Sequence, residues 1–453
     1  MFHIPQIARL FTGGSVNRRI FRAAASVTAA GIAVKIVSVF KEIAVAGVYG
    51  RSDAMDAFLA AALIPGLLIN LISESMNQAL VPTLVRVRER EGHERAQELL
   101  SSAMLWICLL LGAASAIMGL TARGFFPLIA SHFPAAKLDL SVRLFYALLP
   151  VVVITGIAVN CTAVLSTFDR FALPAFAVVV NPAAVIVGAL LLSGRAGIWA
   201  MVYATLAGAL VHAGLVGKMM DTHGYRFSLR WHGMTEATRE VAHQYGPVLL
   251  SSVVASGGLL VDQSMAAMLP AGSVSSLVYA NRFVSVVLTL LAGAVSTAVA
   301  PYFSRMAAAE DWAGCRHTLR TWVRLTAMVS APIAAALIAG SHLLIRLTLQ
   351  HGVFGPRDTE VVTPVLAMYA IQIPFFICSR VFYRFVIAMR RTDLILYCGI
   401  VNLGLDIVLN LILMRWFGVA GIALATSLWT VSTFLFLWYW TWRLLPRVAS
   451  QAG

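Results

Sequence analysis

Residues 34–90 read VKIVSVFKEIAVAGVYGRSDAMDAFLAAALIPGLLINLISESMNQALVPTLVRVRER, two long apolar segments joined by a short polar turn. An α-helix needs about 20 mostly apolar residues to cross the hydrocarbon core of a bilayer, and both segments are long enough. The stretch therefore predicts a pair of membrane-spanning helices. Pro65, followed by Gly66, predicts a kink or break in the second of them.

The rest of the chain has the same character. Of its 453 residues, 60% are hydrophobic and 12% are charged, whereas soluble domains carry about 25% charged residues. These features predict an all-α integral membrane protein with about twelve transmembrane helices. The predicted spans are 22–49, 54–82, 98–122, 141–167, 172–193, 196–220, 245–269, 274–304, 319–349, 360–388, 393–414 and 418–445.

The loops between these spans carry their positive charge on one side. When the loops are assigned alternately to two sides, one side holds about 20 Lys and Arg residues and the other about 6, and cytoplasmic loops collect such residues. The net charge of +14 therefore indicates cytoplasmic loops rather than nucleic-acid binding. We expect a multi-pass protein with both termini in the cytoplasm.

The two halves of the sequence resemble each other at an offset of about 220 residues, as in transporters built from two repeated lobes. For example, the segment 165–181 aligns with 386–402 and pairs Arg170 with Arg391. An even number of spans in each half gives parallel repeats. The predicted organisation is a cytoplasmic N-terminal segment (1–21), two six-helix lobes (22–220 and 245–445) joined by a cytoplasmic amphipathic linker (221–244), and a cytoplasmic tail (446–453).

Charged side chains inside the predicted spans are the main indication of function. Each costs about 2.5–3.5 kcal/mol at mid-bilayer on insertion scales and normally faces a bundle interior or a wet cavity. The cations outnumber the acids, which predicts a polar path for an anionic substrate. The cations are Lys35, Lys41, Arg143, Arg282, Arg324, Arg346, Arg380 and Arg384, and the acids are Glu42, Asp56, Glu74, Asp262 and Asp406.

Motifs for catalysis are missing from the sequence. It contains no phosphate-binding loop and no His or Cys metal spacing, and its five cysteines are scattered. We therefore expect a transporter rather than an enzyme, and no cofactor.

Three segments of the sequence, at 34–90, 166–176 and 271–283, resemble the MviN/MurJ family, lipid II flippases within the multidrug/oligosaccharidyl-lipid/polysaccharide exporter superfamily. AGSVSSLVYANRF (271–283) is similar to one family segment and puts Arg282 on its central arginine, and STFDRFALPAF (166–176) is a further match. The family's early motif corresponds to Lys35, Lys41-Glu42, Tyr49-Gly50, Asp56-Ala57-Phe58, Pro65, Glu74 and Val81-Pro82.

This resemblance implies a flippase of the bacterial cytoplasmic (inner) membrane. Its substrate would be an undecaprenyl-diphosphate-linked saccharide of the lipid II type, moved from the inner to the outer leaflet by alternating access. Membrane lipids would be partners, and cell-wall or polysaccharide assembly enzymes are further candidates. A coupling ion or the membrane potential is left open as the driving force, and no nucleic acid is expected.

The resemblance also implies site residues. Lys35, Lys41 and Arg282 would bind the diphosphate through charge-assisted contacts. Structural alternatives are that Lys41 and Asp56 snorkel to the interface, that Asp56 caps the second span, or that Arg282 forms a structural ion pair with Asp262. The residues expected to act as gating or charge partners are Glu42, Asp56, Glu74, Asn281 and Asp262.

The sequence also departs from the family pattern. Lysines 35 and 41 replace arginines, Leu67–Asn70 contains no counterpart of a further arginine, and Asn281 replaces an aspartate. About twelve spans are predicted where the family has fourteen. These departures leave open an exopolysaccharide repeat-unit flippase of the same family, a multidrug or small-solute exporter, or a non-transporting membrane scaffold.

Overall fold

The computed structural model describes residues 15–167, 176–389 and 391–451, and none of these residues lies in a β-strand. One π-helical turn, Ile69–Glu74, joins the second helix to the third. The α-helices are α1 (Ser15–Tyr49), α2 (Asp53–Leu68), α3 (Ser75–Glu91), α4 (His93–Ile129), α5 (Ala135–Leu165), α6 (Val180–Ala196), α7 (Trp199–Thr222), α8 (Glu236–Ala266), α9 (Ser273–Ala308), α10 (Trp312–Ala339), α11 (Ser341–Thr348), α12 (Pro356–Ala370), α13 (Gln372–Ala388), α14 (Thr392–Phe417) and α15 (Val419–Gln451).

Among the described residues, 10 helical segments are long and apolar enough to cross a membrane. Two of them, Asp53–Glu91 and Pro356–Ala388, each contain two helices in direct continuation. The shorter apolar helix α6 and helix α1 lie where the sequence predicts the fifth and first spans. The prediction of an all-α integral membrane protein with about twelve spanning helices is therefore confirmed.

Several predicted features fall partly or wholly outside the described residues. They are the beginning of the N-terminal segment (1–14), the start of the fifth span (172–175), most of the 166–176 motif, which includes Arg170, and the last two residues of the tail.

Helix α2 runs through Pro65 and Gly66 and then widens into the π-helical turn. Proline has no N–H and therefore removes one hydrogen bond from the helical ladder. A single π-helical turn inside an α-helix is frequent at functional sites. The predicted irregularity is thus present as a change of helical pitch just after Pro65, and the turn ends at the exposed side chain of Glu74.

Two hydrogen bonds join the polar segment between α7 and α8 to α4. Gln97 Nε2 donates to the Arg226 carbonyl at 2.7 Å, and Gln97 Oε1 accepts the Arg226 N–H at 3.1 Å. Only residues 223–235 of this segment are outside a helix. The predicted linker 221–244 therefore overlaps the end of α7 and the start of α8.

Packing divides the chain into two compact units, and each has its own buried core. The second unit is centred on α13, where Val381, Phe382 and Phe385 are fully buried. The assignment of lobes 22–220 and 245–445 stays a prediction. The first unit comprises the described parts of 1–41, 61–122 and 143–252, and the second comprises those of 42–60, 123–142 and 253–453.

Candidate functional site

Asp56, in the first turn of α2, caps the N-terminus of α9. Its Oδ2 accepts the backbone N–H of Gly272 at 2.7 Å, and its Oδ1 accepts that of Ser275 at 2.9 Å. The first N–H groups of a helix have no intrahelical partner, and the helix dipole favours a carboxylate there. The Asp56 side chain is only 1% exposed, so it neither snorkels to an interface nor serves mainly its own helix.

Lys137 neutralises this buried carboxylate. Its Nζ lies 3.1 Å from Asp56 Oδ2 and 2.6 Å from Asp53 Oδ1, and it sits 4.0 Å from the centroid of the Phe133 ring. The Lys137 side chain is 7% exposed, whereas that of Asp53 is 62% exposed. The buried charge of Asp56 is therefore balanced by an equally buried cation, with Asp53 adding a weaker contact from the surface.

Arg51 contacts and stabilises the turn at the start of α9. Its Nε donates to the Gly272 carbonyl at 3.2 Å and to Ser276 Oγ at 2.6 Å, and its Nη1 lies 3.3 Å from Asp358 Oδ1. Gly272 adopts φ 83°, and a Cβ at this position would lie 2.7 Å from the Arg51 carbonyl oxygen. Only glycine fits such a left-handed, crowded position without strain. We call Arg51, Asp53, Asp56, Lys137, Gly272 and Ser275 the cap cluster.

Arg282, two turns further along α9, pairs with Glu42 of α1. Its Nη2 and Nε lie 3.0 and 3.1 Å from Glu42 Oε1. The Glu42 side chain is 1% exposed and the Arg282 side chain 31% exposed. The acid is thus fixed inside the protein, while the guanidinium keeps part of its surface accessible.

The alternative that Arg282 forms an ion pair with Asp262 is wrong, because the partner of Arg282 is Glu42. Asp262 lies instead in a second buried group, which we call the acid cluster: Asp262, Asp406, Asn410 and Thr426. Asn410 Nδ2 donates to Asp262 Oδ1 at 2.8 Å and to Asp406 Oδ1 at 3.2 Å, and Thr426 Oγ1 donates to Asp262 Oδ2 at 3.0 Å.

The acid cluster brings two carboxylates to one amide. Both acids are at most 8% exposed and Asn410 is fully buried. Within the described residues, Asp406 Oδ2 and Asn410 Oδ1 are buried without a hydrogen-bond partner. One carboxylate oxygen and one amide oxygen with free acceptor capacity, next to a second carboxylate, form an environment that suits a small cation or a shared proton.

The remaining predicted site residues lie on α1, on the π-helical turn and on α9. Asn281 is half-buried beside Arg282, and Lys35 and Lys41 are half-buried on α1. Glu74 is exposed at the end of the π-helical turn. Lys35, Lys41 and Glu74 belong to the first packing unit, and their roles stay predictions.

Sequence reasoning missed several members of these clusters. Lys137 lies between the predicted spans 98–122 and 141–167 and therefore reads as a loop charge, although it is the buried partner of Asp56. Asn410 was overlooked, although it lies four residues after Asp406, a spacing that puts both on one helix face. No group of three or more His, Cys, Asp or Glu residues that could hold a metal occurs in the described part of the chain.

The helical architecture and its buried charges are those of a membrane transporter, and comparison with solved structures agrees on the fold. The structure titled "Lipid II flippase MurJ, inward closed conformation" matches with a TM-score of 0.79 and 22% identity, over 93% of this chain and 89% of that one. An inward-facing MATE family multidrug resistance transporter of the MOP superfamily matches with a TM-score of 0.73 and 12% identity, over 93% of this chain and 96% of that one.

Sequence comparison defines the family. The family model described as "Lipid II flippase MurJ" matches residues 45–451. The lipid II flippase MurJ of Burkholderia cenocepacia is 26% identical, over 80% of this chain and 72% of that protein. The probable lipid II flippase MurJ of Vibrio cholerae is 25% identical, over 91% and 81%. The chain belongs to the MurJ family of lipid II flippases.

Proposed function

We propose that this protein moves an undecaprenyl-diphosphate-linked saccharide of the lipid II type from the inner to the outer leaflet of the bacterial cytoplasmic membrane by alternating access. The observation that carries the proposal is Arg282, a partly exposed cation held by a buried acid within the segment that matches the family model. The protein acts as a transporter, and the reaction needs no covalent step.

The diphosphate is the part of such a substrate that cannot cross lipid unaided. Arg282 offers it N–H donors in a rigid fork, which suits phosphate oxygens. Lys35 and Lys41 supply further positive charge along α1. Glu42 keeps the Arg282 side chain in place when no substrate is bound and gives up part of that contact when the phosphate arrives.

The loop charges support an orientation with both termini in the cytoplasm. The diphosphate-linked substrate would then enter from the cytoplasmic leaflet. Cell-wall assembly enzymes are the partners that this orientation suggests. The two repeated lobes, 22–220 and 245–445, would supply the alternation between inward-open and outward-open states.

The acid cluster supports a coupling role for a small cation or a proton. Among the described residues, its two buried carboxylates accept hydrogen bonds from neutral donors only, so a positive charge that binds there changes the electrostatic energy of the unit strongly. Binding and release of that charge would favour different conformations of the second packing unit, and this would couple transport to an ion gradient.

Rescue of a bacterial strain depleted of its lipid II flippase tests the proposal. The wild-type chain should restore growth and the exposure of lipid II on the outer leaflet, whereas Arg282→Ala should restore neither at normal membrane abundance. Failure of the wild-type chain despite normal abundance would contradict the lipid II assignment. Viable deletion of the gene with loss of a secreted polymer would then assign an exopolysaccharide unit as substrate.

Lys35 provides a matched pair of variants for the same assay. Lys35→Arg keeps the charge and should rescue, whereas Lys35→Glu should fail because a reversed charge repels a diphosphate at short range. Rescue by Lys35→Glu would remove Lys35 from the anion path.

A further inference from the structure

Arg380 and Arg384 are embedded cations that the proposed mechanism leaves without a role. They lie four residues apart on α13, so they share one helix face. The opposite face of α13 packs into the second unit, where Phe382 and Val386 are at most 1% exposed. Arg380 is half-buried and Arg384 is exposed. The unit therefore presents both guanidinium groups on the face of α13 that it does not cover.

Two aromatic rings hold Arg380. Its Cζ lies 4.3 Å from the centroid of the Phe376 ring and 5.5 Å from that of Tyr383. Stacking against rings engages the faces of the guanidinium and leaves its edge, which carries the N–H donors, for an acceptor. This is the geometry that serves bidentate recognition of phosphate.

The charge balance at this place differs from that around Arg51 and Arg282. Arg51 pairs with Asp358 and Arg282 with Glu42. No salt bridge joins Arg380 or Arg384 to a carboxylate within the described ranges 15–167, 176–389 and 391–451. Two neighbouring cations in a spanning segment are costly unless an anion compensates them.

Two ring contacts along α9 give the position of these arginines along the helix axes, relative to Arg282. Tyr279 meets Phe354 near the start of α9, with ring centroids 6.2 Å apart, and Phe303 meets Phe385 near its end, at 5.3 Å. The α12–α13 segment therefore runs in the same direction as α9. At 1.5 Å per residue, Arg282 lies about 24 Å from the level of Arg380 along the helices.

We propose that Arg380 and Arg384 form a second phosphate-binding site, near the end of α13 at Ala388, that captures a lipid-linked diphosphate before it reaches Arg282. In the orientation proposed above this end faces the cytoplasm, so the inference rests on the proposed function for the order of the two sites. The ligand chemistry is a phosphate group on a lipid. Its two sources are the polyprenyl diphosphate of the substrate and the headgroup of an anionic phospholipid.

Binding of undecaprenyl diphosphate to the purified full chain in detergent, measured by native mass spectrometry, tests the site. The measurement uses an Arg282→Gln background, which removes the phosphate contact proposed for α9. Arg380→Gln and Arg384→Gln should each weaken binding about tenfold, as expected for loss of one hydrogen-bonded charge contact. Arg357→Gln removes an exposed arginine from the start of α12 in the same unit and should leave binding unchanged.

Arg384→Gln keeps the test independent of folding, because Arg384 is exposed and its substitution leaves the stacked Arg380 in place. Arg384→Lys should lie between wild type and Arg384→Gln, since it keeps the charge and loses the fork. Unchanged binding in the Arg380→Gln/Arg384→Gln double variant, with a normal melting temperature, would overturn the site.

Competition separates the two sources of phosphate. Phosphatidylglycerol at an equal concentration should displace little of the bound undecaprenyl diphosphate. If it displaced about half of the bound probe at that concentration, the proposed capture of the substrate would be overturned. The probe carries no sugar and the assay involves no flipping. A chain that binds the probe through these arginines yet fails to rescue lipid II flipping would therefore contradict the proposed function and leave the binding site intact.

Discussion

The cap cluster and the acid cluster both bury carboxylates in the second packing unit, but they compensate them differently. Asp56 has a buried lysine and two backbone N–H groups as partners. Asp262 and Asp406 share one amide, and a threonine hydroxyl adds a single bond. A carboxylate with permanent charged partners holds structure together, whereas carboxylates with neutral donors only leave a place for a positive charge that comes and goes.

The difference follows from the cost of burying charge. An ionised carboxylate without an opposite charge loses several kcal/mol of hydration that neutral donors only partly replace. In the cap cluster Lys137 and the start of α9 provide that replacement in every state of the protein. In the acid cluster the compensating positive charge must come from outside the protein. Whether that charge is bound can therefore control the conformation of the unit.

The largest expected effect is loss of the cap. Asp56→Asn keeps one oxygen but cannot accept both N–H groups, and it removes the charge that balances buried Lys137. We expect the free energy of unfolding to fall by about 3 kcal/mol, in line with the breaking of buried pairs. The thermal unfolding of the purified protein measures it.

A double-mutant cycle controls this prediction. Lys137→Met together with Asp56→Asn should cost less than the sum of the two single changes, because the pair is coupled. An Asp56→Asn protein as stable as wild type would mean that the negative charge of Asp56 contributes little and that an Asn side chain caps α9 about as well.

One glycine in the cap cluster and one beside the acid cluster allow a matched comparison. Gly272→Ala should destabilise the protein by about 2 kcal/mol because its left-handed backbone disfavours a side chain and its Cβ would meet the Arg51 carbonyl at 2.7 Å. Gly258→Ala in α8 should be tolerated, since its Cβ would lie 3.5 Å from Asp406 Oδ2, an ordinary contact. Equal melting temperatures for the two variants would contradict the crowding at Gly272.

A smaller effect is expected for Asp53, the exposed partner of Lys137. Its side chain is 62% exposed, and exposed ion pairs contribute about 0–1 kcal/mol. Asp53→Asn should therefore lower stability by less than about 1 kcal/mol, and added salt should reduce the difference. A loss as large as that of Asp56→Asn would show that Lys137 depends on both acids equally.

The sequence predicts the fold better than it predicts these clusters, because the clusters join residues that are far apart in the sequence. Length and apolarity of a span are local properties, so the helices could be predicted directly. The Glu42–Arg282 pair joins residues 240 positions apart, and no local pattern selects Glu42 over Asp262 as the partner. Both acids lie in apolar segments, so hydropathy alone could not separate them.

Lys137 illustrates a second reason. A lysine at the border of a span normally snorkels to the interface, so its sequence position indicates a surface charge. Burial of Lys137 depends on the carboxylates that α2 brings to it and on the ring of Phe133. The glycine before Ser273 was a usable signal, because a Gly-Ser start fits a helix N-terminus, but it does not reveal which distant acid caps that helix.

The smallest effect on stability, and the sharpest on function, is expected in the acid cluster. Asp406→Asn removes one of two neighbouring negative charges, so the melting temperature should stay within the error of wild type or rise. If the cluster binds the coupling charge, lipid II flipping by this variant should lose its dependence on the ion or proton gradient. Flipping is followed at imposed gradients in vesicles, with Asp53→Asn as the matched control that removes a carboxylate elsewhere in the unit. Two outcomes would contradict this role: an Asp406→Asn protein that unfolds as readily as Asp56→Asn, or one whose flipping still depends on the gradient. Either would mean that the acid cluster is structural, like the cap cluster, and that the two clusters differ only in their partners.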